Sequence, residues 1–246
     1  MAHSMVERDV PLLWLTRKLK RIGQLDADDA SRLASLPLRI ERIPRHRELV
    51  REGAAPEQCC LLASGFACRY KETETGARQI VSFHLRGDLL DIQHLLLARA
   101  DHSLQTITEA TVAWIPKPEL LRLAWERPNV GKALWRDTLI DASIFREWVL
   151  NVGRRDAKSR VAHMLCEFVV RCEAVGLGTA ANFEFPMTQE QIGDATGLTT
   201  VHVNRTLKSL DADGALVRDR NRFQVVDWKR LCGIAEFDPS YLHAAA

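Results

Sequence analysis

The residues best equipped for chemistry lie near the C-terminus. Thr200, Val201, Asn204 and Arg205 recur at helical spacing, on the polar side of a stretch whose apolar side is Val203, Leu207 and Leu210. An arginine placed this way can donate two parallel hydrogen bonds to guanine O6 and N7. An asparagine can pair with adenine or reach a phosphate, and a valine can touch only a thymine methyl. Thr188, Thr199, His202, Lys208 and Arg220 are of the types that hold phosphates, which sets register without reading sequence. All of these are binding groups, and no catalytic residue is assigned. The chain has no G-x-S-x-G, no H-E-x-x-H and no phosphate-cradling Gly-Lys-Ser/Thr loop, so an enzyme is not expected.

The elements that must position these groups are legible around them. Thr188 with Gln191 three residues on makes a capping box for one helix, and Gly197 can take the positive φ that ends it. Thr199 then caps the second helix. A short helix, a tight glycine turn and an amphipathic second helix form a helix-turn-helix. Leu216-Val217-Arg218 and Arg222 to Val226, around Asp219-Arg220-Asn221, predict a wing-like hairpin. The second helix is expected to enter a major groove of double-stranded DNA. A module whose helix-turn-helix packs against another protein under ligand control is the alternative.

Upstream the texture differs. Leu12, Leu15 and Leu19 have helical spacing after Pro11, which suits a first turn, and Asp26 suits the cap of a short second helix. From Leu36 to Pro116, short apolar runs broken by Ser64-Gly65, Thr75-Gly76 and Gly87-Asp88 predict an antiparallel sandwich or barrel. A helix over 129–153 would be ~37 Å long, more than a small domain needs for itself. Trp135, Ala142, Phe145, Val149 and Val152 form a seam along it. A two-fold dimer contact is favoured for this seam, and packing on the chain's own β region is the other solution. Asp156 is expected to cap the next helix. The predicted domains are residues 1–128, a dimerisation helix over 129–153, and residues 154–246.

Composition sets outer bounds. Of 246 residues, 46% are hydrophobic and 27% charged, which excludes a disordered chain. Lys and Arg number 34 against 32 Asp and Glu, and the resulting +2 excludes a coat of bulk positive charge on nucleic acid, though not a local reading surface. No apolar run reaches the ~20 residues that span a bilayer, and Glu7 and Arg8 stand where a signal peptide needs an apolar core. A cytoplasmic protein without membrane contact is expected. The six cysteines show no C-x2-C spacing, so they read as reduced, buried thiols, and no metal site is predicted.

In order and spacing, four features resemble the Crp–Fnr family of bacterial transcription regulators. They are Gly87-Asp88 in the β region, the long helix, Ser159-Arg160-Val161-Ala162 after it, and Gly197-Leu198-Thr199 through Asn204-Arg205. The resemblance implies an α+β chain. Its N-terminal sensor domain is a double-stranded β-helix (jelly-roll) of the cyclic-nucleotide-binding type, followed by a dimer helix and a C-terminal winged helix-turn-helix. It also implies a homodimer on palindromic promoter DNA, with RNA polymerase as a further partner.

Departures from the family pattern sharpen the expectation. Where nucleotide-binding members carry Gly-Glu and then Arg-Ser, this chain has Asp91-Ile92 and His102-Ser103, with Arg99 displaced. A mostly neutral histidine does not replace a fixed cation beside a cyclic phosphate, so cyclic AMP is not the expected effector. The N-terminal cysteine cluster of iron–sulfur members is absent. Haem would need His84, His94 or His102, which are read instead as hydrogen-bonded structural residues. No cofactor is predicted, and the effector stays open. Its pocket is placed near Asp91, His94, Arg99, His102, Ser103, Phe145 and Trp148. Val201 stands where well-known members carry a glutamate that accepts from cytosine, so the DNA half-site is expected to differ there.

Overall fold

The computed structural model describes residues 2–180, 183, 185–219 and 222–243. They form two compact units: residues 1–70, 84–142 and 243–246 in one, and 71–83 with 143–242 in the other. The expected boundary near Arg154 therefore falls inside the second unit, and the long helix contributes residues to both.

The first unit opens with α1 (Ala2–Ile22) and α2 (Ala27–Ala34). Pro11 lies inside α1 and does not begin it. Asp26 caps α2 through a full capping box with Asp29, as its position before an apolar-periodic run predicted. The strands are β1 (Arg39–Ile43), β2 (Glu48–Val50), β3 (Gln58–Ser64), β4 (Ala67–Glu72), β5 (Arg78–His84), β6 (Ser103–Thr106) and β7 (Ala110–Pro116). One sheet runs β1-β7-β3, with Leu61 opposite Ala113; in the other, β2 pairs with β6 and β6 with β4. All these pairs are antiparallel, as the short runs and glycine turns required.

Strand β3 is buried on both faces. Cys59 joins a core of Leu12, Leu15, Leu19 and Leu120, and Cys60 joins another with Leu90, Leu104 and Val112. Adjacent strand residues point to opposite faces, so one strand divides two cores. After β7 come α3 (Lys117–Glu126) and α4 (Pro128–Arg154). Lys18 on α1 reaches Asp88 at 2.9 Å and Asp137 of α4 at 2.8 Å, so the Gly87-Asp88 pair serves a structural ion bridge.

The second unit centres on α5 (Ala157–Ala174), capped by Asp156 through the Lys158 and Ser159 amides. Around it lie α6 (Gln189–Thr196), α7 (Thr200–Ala212), β8 (Leu216–Asp219), β9 (Arg222–Val225) and α8 (Trp228–Ala235). Residues 71–83 belong here because Arg78 pairs with Asp194 at 2.6 Å and Gln79 donates to the Ala195 carbonyl. Phe83, Phe168, Phe183 and Phe185 pack ring to ring. Glu167, buried on α5, accepts from Trp148 Nε1 and from the Tyr241 hydroxyl at 2.8 Å. Cys166 and Cys232 bring their sulfurs to 4.0 Å, a pairing that spacing did not reveal. Among the described residues, no helix is long and apolar enough to cross a membrane.

His163 is buried in this unit, stacked on Tyr241 and 3.3 Å from Glu147. Burial, and then the Arg155 charge, hold its pKa down at about 3. The folded chain thus binds this proton later than the unfolded one. Its contribution to stability is full above about pH 6.5 and is lost as pH falls towards the folded value, at roughly 1.4 kcal/mol per pH unit. Urea unfolding between pH 7 and pH 5 should show this loss, and His163→Phe should flatten it.

Candidate nucleic-acid interface

The helix-turn-helix forms from local chemistry. The Thr188 hydroxyl accepts from the Gln191 amide, and the Gln191 side chain accepts from the Thr188 amide. Gly197 sits at φ 66°, in the left-handed region, and ends α6. Thr199 caps α7 through the His202 amide. A Cβ on Gly193 would lie 2.5 Å from the Leu198 carbonyl oxygen, so the two helices meet at a distance only glycine permits. Ile192, Ala195, Val203, Leu207 and Leu210 are buried, as their spacing predicted. Arg160 of α5 donates to the Thr196 carbonyl at 2.8 Å and so fixes the turn to the unit's central helix.

The opposite side of α7 is open. Thr200, Val201, Arg205 and Lys208 are exposed, Val201 to 79%. With Gln189 and Asn204 they line a shallow groove of about 480 Å³. Arg205 forms no ion pair or hydrogen bond among the described residues, so its guanidinium is available to a ligand. Asn204 is half-buried, and its amide donates to Gln189 Oε1 at 3.0 Å. Gln189 is therefore a member that the sequence reading missed; its place just after the Thr188 cap was the available signal. Of the phosphate-holding residues, Thr188 and Thr199 are exposed and His202 half-buried. Arg220 lies outside the described residues.

Of the residues expected at the effector pocket, Asp91, His94, Arg99, His102 and Ser103 lie in the first unit and Phe145 and Trp148 in the second. Asp91, His94 and His102 are buried together in the first unit, where the His94 and His102 rings stack with centroids 5.7 Å apart. His102 bonds Asp101 at 2.7 Å and Gln93 at 3.0 Å. Burial, and then the Arg69 charge, hold His102 at about 4, so its ring is neutral near pH 7. Arg99 bonds the Gly53 carbonyl, and the Ser103 hydroxyl accepts from the Glu52 amide. Phe145 is exposed, and Trp148 is committed to Glu167 and Phe83 in the second unit. Spacing also did not reveal Arg69, which lies beside the histidines and reaches Asp141 at 2.7 Å and the Leu90 carbonyl. A charged residue within the apolar run of β4 was the signal.

Comparison with known proteins now bears on this geometry. Residues 40–126 match the cyclic nucleotide-binding domain and residues 159–234 the Crp-like helix-turn-helix domain. The nitrogen fixation regulation protein FixK of Bradyrhizobium diazoefficiens is 31% identical over 166 residues, covering 68% of this chain and 69% of that protein. The chain belongs to the Crp–Fnr family. The transcriptional activatory protein AadR of Rhodopseudomonas palustris is 27% identical, over 89% of this chain and 90% of AadR. The structure of FixK2 from Bradyrhizobium japonicum superposes with a TM-score of 0.73 at 26% identity, covering 81% of this chain and 98% of that one. This Crp–Fnr chain is thus a transcription regulator with an N-terminal cyclic-nucleotide-binding-type β domain and a helix-turn-helix DNA-binding domain.

In this Crp–Fnr chain the Thr188 hydroxyl already carries a structural load. Thr188→Ala removes the acceptor for an orphan amide and should lower the unfolding free energy by ~1 kcal/mol, whereas Thr188→Ser should stay close to the parent. Urea denaturation followed by circular dichroism measures both.

Proposed function

We propose that the chain binds palindromic promoter DNA as a homodimer, with α7 of each protomer in a major groove. The observation that carries this reading is the exposed strip of Thr200, Val201 and Arg205 on a helix whose other face is fully buried. Arg205 reads guanine, Val201 contacts a thymine methyl, and Asn204, steadied by Gln189, reads the neighbouring base or a phosphate. Thr188, Thr199, His202, Lys208 and Arg220 hold the backbone.

The dimer forms along α4. Trp135, Phe145 and Val149 are exposed to 67%, 50% and 60%, and Ala142 and Val152 are half-buried on the same seam. Apolar side chains repeating at this spacing are the surface that a second copy of the helix covers. The assembled regulator meets RNA polymerase in the bacterial cytoplasm and carries out no catalysis of its own. Its effector is not cyclic AMP. Two features support this: His102 is held by Asp101 and Gln93, and Arg99 is turned to the Gly53 carbonyl, so neither side chain is placed as the fixed cation that a cyclic phosphate requires.

Fragments selected from genomic DNA by the purified protein supply the binding site for a direct test. On that site Arg205→Ala should cost ~1–3 kcal/mol and relax discrimination at one base pair per half-site. Equal weakening on every sequence would assign Arg205 to phosphate contact alone. Val149→Glu should shift the dimer towards monomer in sedimentation, because two carboxylates would meet across the seam.

A further inference from the structure

One side chain in the β unit is not accounted for by the fold. His94, on the short 3-10 helix Ile92–Leu95, is fully buried, and neither of its ring nitrogens has a hydrogen-bond partner among the described residues. Buried polar atoms in native cores are almost always paired, so two orphans on one ring ask for a missing group. The residues around it are suited to supply one. One ring nitrogen each from His94 and His102 and a carboxylate oxygen of Asp101 all lie within 4.8 Å of one another. Asp91 Oδ2, also buried and without a hydrogen-bond partner, lies 3.7 Å from His94 Nδ1, while its Oδ1 is anchored by the Cys60 amide at 2.8 Å.

We propose that His94, His102 and Asp101 bind a divalent transition-metal ion, with Asp91 orienting the His94 ring from behind. A carboxylate bonded to the far nitrogen of a ligating histidine is the usual outer support of such sites. Two imidazoles and one carboxylate, without a thiolate, suit ions such as Co²⁺, Zn²⁺, Ni²⁺ or Fe²⁺ better than Cu⁺ or Ca²⁺. Charge is compatible. Asp91 and Asp101 offset the ion, and the nearby Arg69 guanidinium is paired with Asp141.

A tetrahedral ion holds its ligand atoms about 3.4 Å apart, so His94 must close on the other two while Asp101 and His102 Nδ1, now 2.7 Å apart, open. Asp101, whose side chain is 70% exposed, has room to do this and opens the route from solvent. At His102 the ion replaces the 2.7 Å hydrogen bond between Nδ1 and Asp101. The ring proton then sits on Nε2, where the Gln93 amide accepts it through its oxygen after turning over. Spacing could not reveal the site, because His94 lies on a short 3-10 helix and the Asp101-His102 pair in the turn before β6. It deepens the effector-pocket reading but stands without DNA binding, so either can fail alone.

The test is titration of the chelator-stripped full chain with Co²⁺, followed by visible absorption and calorimetry. We expect saturation at one ion per chain with the ligand-field bands of a low-coordinate site. His94→Gln and Asp101→Asn should each weaken binding by about tenfold or more while circular dichroism stays unchanged. Asp101 is on the surface, so Asp101→Asn decides the matter even if His94→Gln misfolds. No saturable binding, or binding untouched by Asp101→Asn, would overturn the proposal.

Discussion

The orientation of α7 depends on one close approach. The Leu198 carbonyl lies where a side chain on residue 193 would begin, and the Leu198 amide returns a 3.0 Å hydrogen bond to the Gly193 carbonyl. Together with the left-handed Gly197, this close approach and its hydrogen bond set the angle between α6 and α7. What α7 presents to solvent follows from that angle. Val203, Leu207 and Leu210 go into the core, which forces Thr200, Val201 and Arg205 to the surface as a group. Arg160 ties the turn to α5, and Arg78 and Gln79 brace α6, so the head is supported from two directions.

The two units solve different problems with the same balanced composition. In the β unit, charged groups are spent on internal ties such as Lys18 with Asp88 and Asp137, and Arg127 with Asp29. In the second unit the buried network of Glu167 with Trp148, Tyr241 and Arg171 does the same. The basic side chains left over include Arg205 and Lys208, and they lie in the groove of α7. A net charge of +2 therefore says little about partners, because many of the charges are paired within the chain. On the proposed dimeric reading, a mildly basic head gives modest non-specific affinity and leaves discrimination to two half-sites read together.

Local chemistry explains which parts were legible in the sequence. The Thr188 and Gln191 box, Gly197, the Thr199 cap, the Asp26 and Asp156 caps and the opposed Cys59 and Cys60 all rest on neighbours within a few residues, and all appear as read. Long-range placement was not legible. Arg69 and Asp141, Cys166 and Cys232, and His94 beside Asp101 and His102 are each brought together by pairing or packing across many residues. Within the expected effector pocket, the hydrogen bonds of Arg99 to Gly53, of Ser103 with Glu52 and of Trp148 to Glu167 were likewise not legible. His94 reversed its expectation, since this histidine, read as hydrogen-bonded, has no ring hydrogen bond among the described residues.

Sequence-reading through α7 is tested most directly by the salt dependence of binding to a duplex selected from genomic DNA. Counterion release requires the logarithm of the binding constant to fall linearly with the logarithm of salt concentration, with a slope that counts the phosphates held. The account predicts such a line, steeper for the selected palindrome than for one half-site alone. Binding that ignores salt, or no binding to any duplex, would contradict it.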